Sequence, residues 1–377
     1  MKSLLVFPAQ WYPTQPYLST PYLCAYLREK SWDVTQRDFN IESYDHFLSP
    51  TLLENILSKI EGRLTALKEK KSFSFKEKSL MDVLATSVKF APTIISGVND
   101  AKKVMRTPER FFDFNTYKQA DMVIKSALKL VSDAYSPSIL TLSTFESGTR
   151  AEESTQRATE FARNNDINPF IDLYEKVLLP SESWEDYNLV GISIVGISQI
   201  LPGLTLARLL KEKYPHLHIT LGGPIFSVNS KQLMGHPEFF QEFCDSIVTF
   251  EGEEPLHRLL TTLKNGSTLK SVPNLIFYED GKIESNETIN TICDGLRAQI
   301  GTVTFPIIKK KVDGIITVAE EDIIDSMRMI WERMKIIVEP SSSITLAAVL
   351  NDKEVFTGKK VGLILSGGNV DLDHLPW

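Results

Sequence analysis

The sequence predicts an α/β protein: a doubly wound parallel sheet with a helical insertion, followed by a second, partial α/β segment. Three observations predict it. Leu189 to Phe226 reads as strand, loop, helix and strand in immediate succession, which is one βαβ unit. Between Leu52 and Ala134 three stretches carry apolar residues at three-and-four spacing. From about Thr288 the sequence changes character.

The chain has 377 residues, 42% of them hydrophobic, enough for two cores. Its net charge of -7 and the lack of a long basic run exclude a phosphate-tracking face, so no nucleic-acid partner is expected. No apolar run reaches the ~18 residues that span a bilayer, and the amino terminus opens directly on a strand-like LLVF. Three cysteines, Cys24, Cys244 and Cys293, lie far apart and odd in number, which fits buried thiols in a reducing, cytoplasmic compartment.

Residues 3–7 make the first strand, and Pro8, Pro13, Pro16 and Pro21 hold an extended loop after it. Tyr22 to Lys30 form a helix and Val34 to Phe39 a strand ending near Asp38, either a ligand-facing acid or a cap. The helical insertion, about 50–135, follows. Its lysines, Lys68 to Lys78 with Glu69 and Glu77 between them, read as a solvated face. Ile139 to Leu142 is expected to return to the sheet as a strand, and Arg150 to Asn164 to be a polar helix.

In the central unit, Leu189 to Val195 is a strand, and Leu204, Ala207, Leu209 and Leu210 give the next helix an apolar stripe. Pro215 stops that helix, and His218 to Leu221 is a strand ending in Gly222-Gly223-Pro224. His216 and His218 read as a solvated pair. Ligands of open parallel sheets sit outside the carboxyl ends of the strands. Ser198-Gln199 and Gly222-Gly223-Pro224 are therefore expected to face one crevice, although such glycines also serve plain tight turns. His236 to Phe243 is a short helix, Ser246 to Phe250 the last parallel strand, and Glu251-Gly252-Glu253 sits at its end, facing a ligand or capping a helix that begins at Pro255. Ser271 to Glu284 is a β-hairpin around Asp280-Gly281.

This order of motifs, with KSLLVFPAQWYPTQPYLSTPYLCAYLR at residues 2–28, resembles the Rossmann-like cobalamin-binding domain that precedes the barrel of one class of radical-SAM enzymes. The resemblance covers residues 1–285. It implies a corrinoid cofactor near Ser198, Gln199, Gly222, Gly223, Pro224, Glu251, Gly252 and Glu253. It implies no histidine below the cobalt, because no Asp-x-His-x-x-Gly motif occurs. The three clustered cysteines of a radical-SAM barrel are missing, so that catalytic barrel is not expected, and neither a catalytic residue nor a protein metal ligand is assigned.

Residues 286–377 change character. Thr291-Ile292 with Asp294-Gly295, Trp331 to Lys335, Glu339-Pro340-Ser341 and Ser366-Gly367-Gly368-Asn369 resemble the end of serine racemase and the related threonine dehydratases. The resemblance implies part of the large domain of a type II pyridoxal-phosphate enzyme, with strands at Gly314 to Val318 and Val361 to Leu365 and helices at Glu320 to Lys335 and Ser341 to Leu350. It also implies that Ser366, beside Gly367, meets the cofactor's pyridine nitrogen. The Schiff-base lysine and phosphate-cradling glycine loop of that family belong to its earlier two-thirds. Ser74-Phe75-Lys76 shares three letters with the lysine motif, but Glu77-Lys78-Ser79 departs from it.

The sequence thus favours a corrinoid-binding module without a complete catalytic site, serving a small-molecule cofactor, with its protein partner unassigned. The alternative is a pyridoxal-phosphate racemase or dehydratase of serine or threonine. A third reading is a chimera, two fragments joined at about Asn286 to Asn290 by rearrangement or assembly.

Overall fold

The computed structural model describes residues 1–286, 291–296, 300 and 304–377. The chain divides into two compact units, Met1–Asn286 and Glu287–Trp377. Residues 287–290, where the two resemblances meet, lie outside the described residues.

The first unit is built on a seven-stranded sheet of order β2-β1-β5-β6-β7-β8-β9. Its strands are β1 (Lys2–Phe7), β2 (Asp33–Asp38), β5 (Leu189–Ser193), β6 (His218–Gly222), β7 (Ser246–Val248), β8 (Leu275–Glu279) and β9 (Lys282–Ser285). Pairing is parallel from β2 through β7 and antiparallel at the β8–β9 edge. The hairpin turn places Asp280 and Gly281 both at positive φ, the pairing that a two-residue turn of this type demands. Just after it, the Asn286 side chain donates to the carbonyls of Leu269 (2.8 Å) and Val272 (2.7 Å), and its backbone N–H to Leu275 (2.9 Å).

Strand order reverses between β1 and β5. The chain leaves β1 for β2 on one side and later returns to pair β5 on the other, which makes a topological switch point.

Helix α1 (Ser19–Glu29) crosses from β1 to β2, and α2 (Phe39–Phe47) follows β2. Asp38 accepts a hydrogen bond from the Ile41 N–H at 3.1 Å, so it caps α2. The insertion is a three-helix layer of α3 (Pro50–Lys68), α4 (Phe75–Arg106) and α5 (Phe114–Ala134). On α3 the three-and-four spacing holds, and Leu53, Ile56, Ile60 and Leu64 form the buried stripe. Ser74 and Glu77 close a capping box at the start of α4. Ser74-Phe75-Lys76 is therefore a helix start with Phe75 in solvent.

Ile139 to Leu142 does not join the main sheet. A two-residue strand, β3 (Ile139–Leu140), pairs with β4 (Phe145–Glu146) in a separate two-stranded sheet. The place beside β1 is taken by β5, and the Thr141 hydroxyl accepts from the Ser143 and Thr144 N–H groups, turning the chain back at once. The polar helix after it shortens to α6 (Thr155–Ala162), capped by Ser154.

Helix α7 (Ile197–Lys213) departs from the expected one-faced stripe: every residue from Leu201 to Leu210 is buried. The sheet covers one side while α6 and α8 (Pro237–Phe243) cover the other. A helix apolar nearly all round belongs between layers. One continuous core runs from Leu4 through the insertion to Ile276, and a second, on the other sheet face, joins Leu5, Leu27, Leu259 and Phe277. The last helix of this unit, α9 (Glu253–Asn265), starts two residues before Pro255, which sits in its first turn.

The second unit contains α10 (Glu320–Met334) and α11 (Pro340–Asn351), close to expectation, but the two expected strands are absent among the described residues. Residues 312–319 and 359–370 carry no regular structure. A strand needs a ladder partner, and none of the described segments of this unit supplies one. Its core is two small clusters, one around Cys293, Ile323 and Ala347, the other around Met327, Ile330 and Val338.

Candidate functional site

The carboxyl edge of the parallel sheet gathers four loops, after β1, β5, β6 and β7. The loop after β1 is aromatic. Tyr17 stacks on Phe7 with centroids 5.7 Å apart, and Trp11 meets the edges of Tyr17 (5.5 Å) and Tyr12 (5.7 Å). The indole N–H of Trp11 donates to the Gln15 carbonyl at 2.9 Å and its backbone N–H to Asn40 at 2.8 Å, which fixes the loop. Gly196, just before α7, abuts this tryptophan: a Cβ there would lie 3.0 Å from the ring. Loops on both sides of the switch point thus meet in one aromatic cluster.

The sequence-derived site residues divide by role. Gln199 is fully buried and spans the switch point, donating to the Pro8 carbonyl (2.9 Å) and accepting from the Val195 N–H (3.1 Å). Its amide is consumed in joining two loops. Ser198 is half-buried in the first turn of α7. Gly223 has φ +122°, and a Cβ would fall 2.0 Å from the Ile194 carbonyl oxygen, so only glycine fits against the β5 loop. Gly222 has room, and Pro224 opens a short helical turn. Ser227, on that turn, accepts from the Phe250 N–H at 2.7 Å and ties the β6 loop to the β7 loop.

Glu251 is exposed, and its carboxyl is pushed up by partial burial and by Glu253 beside it. Gly252 occupies the N-cap of α9 and Glu253 its first turn, where a carboxylate complements the helix dipole. These two serve the helix. The sequence did not single out the aromatic side chains Trp11, Tyr12 and Tyr17, nor the exposed apolar residues Leu18, Ile197 (73% exposed) and Val228 (80% exposed) at the same edge. The signal was present as four aromatic or apolar letters among prolines in residues 11–18.

No histidine occurs in residues 8–18, 194–199, 222–230 or 249–254. His218 lies at the opposite end of β6 and is no solvated residue: its Nε2 shares a hydrogen bond with the Ser246 hydroxyl at 2.8 Å, and burial lowers its pKa. All three cysteines are buried. Burial raises the Cys24 thiol to about 11 and lifts Cys244 and Cys293 as well, which leaves them inert at neutral pH.

In the second unit the Ser-Gly-Gly-Asn turn docks on the start of α11. The Ser342 hydroxyl accepts from the Gly367 N–H at 2.7 Å and donates to the Gly367 carbonyl at 2.8 Å. Glu339 accepts from the Asn369 N–H at 3.1 Å while its own N–H donates to the Gly367 carbonyl at 3.1 Å. Ser366 is exposed, its hydroxyl 3.2 Å from that of Ser342. The turn is intact as a backbone motif, and its serine lies exposed. Among the described residues of this unit, those present do not fit pyridoxal phosphate: one exposed hydroxyl is offered where an enclosed ring contact, a phosphate cradle and a lysine amine are required.

The profile of the pyridoxal-phosphate dependent enzyme family matches residues 268–367, beginning inside the first unit, ahead of β8. A serine racemase from Dictyostelium discoideum is 56% identical over 88 residues, 23% of this chain and 27% of that protein. A beta-hydroxyaspartate dehydratase from Paracoccus denitrificans (strain Pd 1222) is 41% identical over 100 residues, 26% of this chain and 32% of that protein. The chain spans about a third or less of the length of these curated relatives. Among solved structures, a radical S-adenosylmethionine methyltransferase from Kitasatospora setae, with cobalamin and an iron–sulfur cluster bound, aligns at a TM-score of 0.31 and 13% identity, over 77% of this chain and 30% of that one. A likeness that low establishes no common fold. Among the described residues no helix is long and apolar enough to cross a membrane.

Proposed function

We propose that the first unit binds a corrinoid along the carboxyl edge of its sheet, and that the second unit is a portion of a racemase or dehydratase fold that lacks its own catalytic site. The observation that supports corrinoid binding is the aromatic and apolar rim at the switch point. Tyr12, Tyr17, Leu18, Ile197 and Val228 expose apolar surface on the loops of this edge, where parallel sheets take their ligands. A flat macrocycle would cover that surface. Trp11 and Gly196 hold the two loops together, and the Gly222-Gly223 turn brings bare backbone to the same edge. A bound corrinoid would supply cobalt-centred group-transfer chemistry, and the four loops that would hold it carry no histidine.

The second reading is a pyridoxal-phosphate racemase or dehydratase of small hydroxy amino acids. It has the stronger sequence support, through relatives 41% and 56% identical. That likeness supports the fold of the second unit. Activity does not follow from it, because the matched share omits the lysine and phosphate loop that the chemistry requires.

The test is spectroscopic. The purified chain is incubated separately with hydroxocobalamin and with pyridoxal phosphate, desalted, and its absorbance recorded. Retained corrinoid bands, lost in Ile197→Glu and Val228→Glu, are the expected result. Both positions are exposed, so these variants keep the fold, whereas substitution of Gly223 breaks it. No retained corrinoid overturns the first reading. A lysine-linked pyridoxal band, trapped by borohydride at one lysine, overturns the account of the second unit.

A further inference from the structure

The helical insertion holds an open cleft of about 810 Å³ between α4, α5 and the turn that follows α5. None of its lining residues belongs to the four loops at the carboxyl edge of the sheet. The volume lies within the roughly 300–1,000 Å³ of small-molecule sites. The walls are aliphatic: Leu80 and Val83 come from α4, Leu128 from α5, and Ile139, Leu140 and Leu142 from the turn. Val83 is 36% exposed and Ile139 49%, so this lining stands open to a ligand.

The wall formed by the turn is held from several sides. Arg63 on α3 donates to the carbonyls of Ala134 (2.6 Å) and Ser136 (3.1 Å). The Ser132 hydroxyl accepts from the Leu140 N–H at 2.8 Å and donates to the Leu128 carbonyl at 3.0 Å, and the Ser138 hydroxyl donates to the Ile167 carbonyl at 2.6 Å. The cleft is therefore preformed, and these two hydroxyls are spent on backbone rather than offered to a ligand.

The mouth is cationic. Lys76, Lys125 and Lys129 line it against a single acid, Asp133. That carboxylate is already satisfied by the Ser87 hydroxyl at 2.6 Å and by Lys129 at 2.7 and 2.8 Å. Lys125 pairs with Asp121 at 2.7 Å, an exposed helix pair of small energy, and Asp121 lies outside the lining. Lys76 is exposed and has no acidic partner among the described residues. It belongs to the lysine run between Lys68 and Lys78, and the fold stands it at this mouth.

We infer that the cleft binds a single-chain amphipathic anion, an alkyl carboxylate. Its chain lies against Val83, Leu128 and Ile139, and its head group meets Lys76 and Lys125. Aliphatic walls without an aromatic ring or a spare buried hydroxyl favour an alkyl chain over a flat or polar body. The excess of positive charge at the mouth selects an anionic head.

The test titrates the full chain at low salt, by calorimetry, with decanoate and with 1-decanol, which share a chain and differ in the head. Saturable one-to-one binding of decanoate is expected, about fivefold tighter than that of the alcohol. Val83→Glu weakens both by about tenfold, and unchanged circular dichroism shows that its helices persist. Lys76→Ala combined with Lys125→Ala, at two exposed positions, weakens decanoate about fivefold and leaves the alcohol unchanged. Four results each overturn the proposal: no saturable decanoate binding, binding indifferent to Val83→Glu, equal affinity for the two heads, or a dimer in light scattering that Val83→Glu dissolves. The last would make a second copy of the chain the occupant of the cleft.

Discussion

The two units hold similar kinds of side chain and use them differently. In Met1–Asn286, β5 and β6 run through the middle of a sheet whose two faces are covered, and α7 is buried along most of its length. In Glu287–Trp377, runs of comparable apolarity stand in solvent, and two helices share two small clusters. An apolar run becomes a strand only when a neighbour completes its ladder. Local pattern proposes the strand, and topology grants it.

The largest expected effect is a split unfolding curve. Native-state hydrogen exchange should find α10 and α11 opening several kcal/mol more easily than β5 and β6, about the gap between sub-global and global opening. A single cooperative transition by calorimetry and exchange together would erase the distinction between the units.

Gly223→Ala comes next, with a loss of about 3 kcal/mol from forbidden backbone geometry and the clash on Ile194. The loss should appear in the first unit's transition alone, measured by urea denaturation. Met327→Ala is the mirror experiment. It empties the centre of one small cluster, costs about 2 kcal/mol, and should melt the second unit while the first transition keeps its midpoint.

The smallest effect is a pH dependence confined to the first unit. Burial depresses the His218 pKa below its ordinary 6.5, so the folded state favours the neutral ring. The stability tied to that neutral ring is fully present above pH 6.5 and is lost as pH falls from there toward the folded-state value. His218→Gln should flatten the slope of stability against pH in that window; an unaltered slope would assign it to other groups, such as His46, whose pKa burial also lowers.

Much of the first unit was legible because its signals are local. The strands at β1, β2, β5 and β6, the hairpin at Asp280-Gly281, and the insertion all carry period or turn chemistry within a few residues. Two things were not. The switch point lies between β1 and β5, strands far apart in the chain, so local signals point to a crevice at the ends of β5 and β6 and leave out the rings of Trp11 and Tyr17. The pairing of Ile139–Leu140 likewise depended on which strand occupies the place beside β1. In the second unit the Ser366 turn was legible as a motif, while its exposure was not, because exposure depends on what the rest of the fold brings.

Asn286 fixes where the first unit stops. Its side chain grips the carbonyls of Leu269 and Val272, and its N–H that of Leu275, so the chain leaves the sheet through a knot of three hydrogen bonds. Tension on the following segment meets that anchor before it reaches β9. The anchor works as a mechanical stop: a protease or a pulling force that dismantles the second unit should stall there and leave the seven-stranded sheet whole.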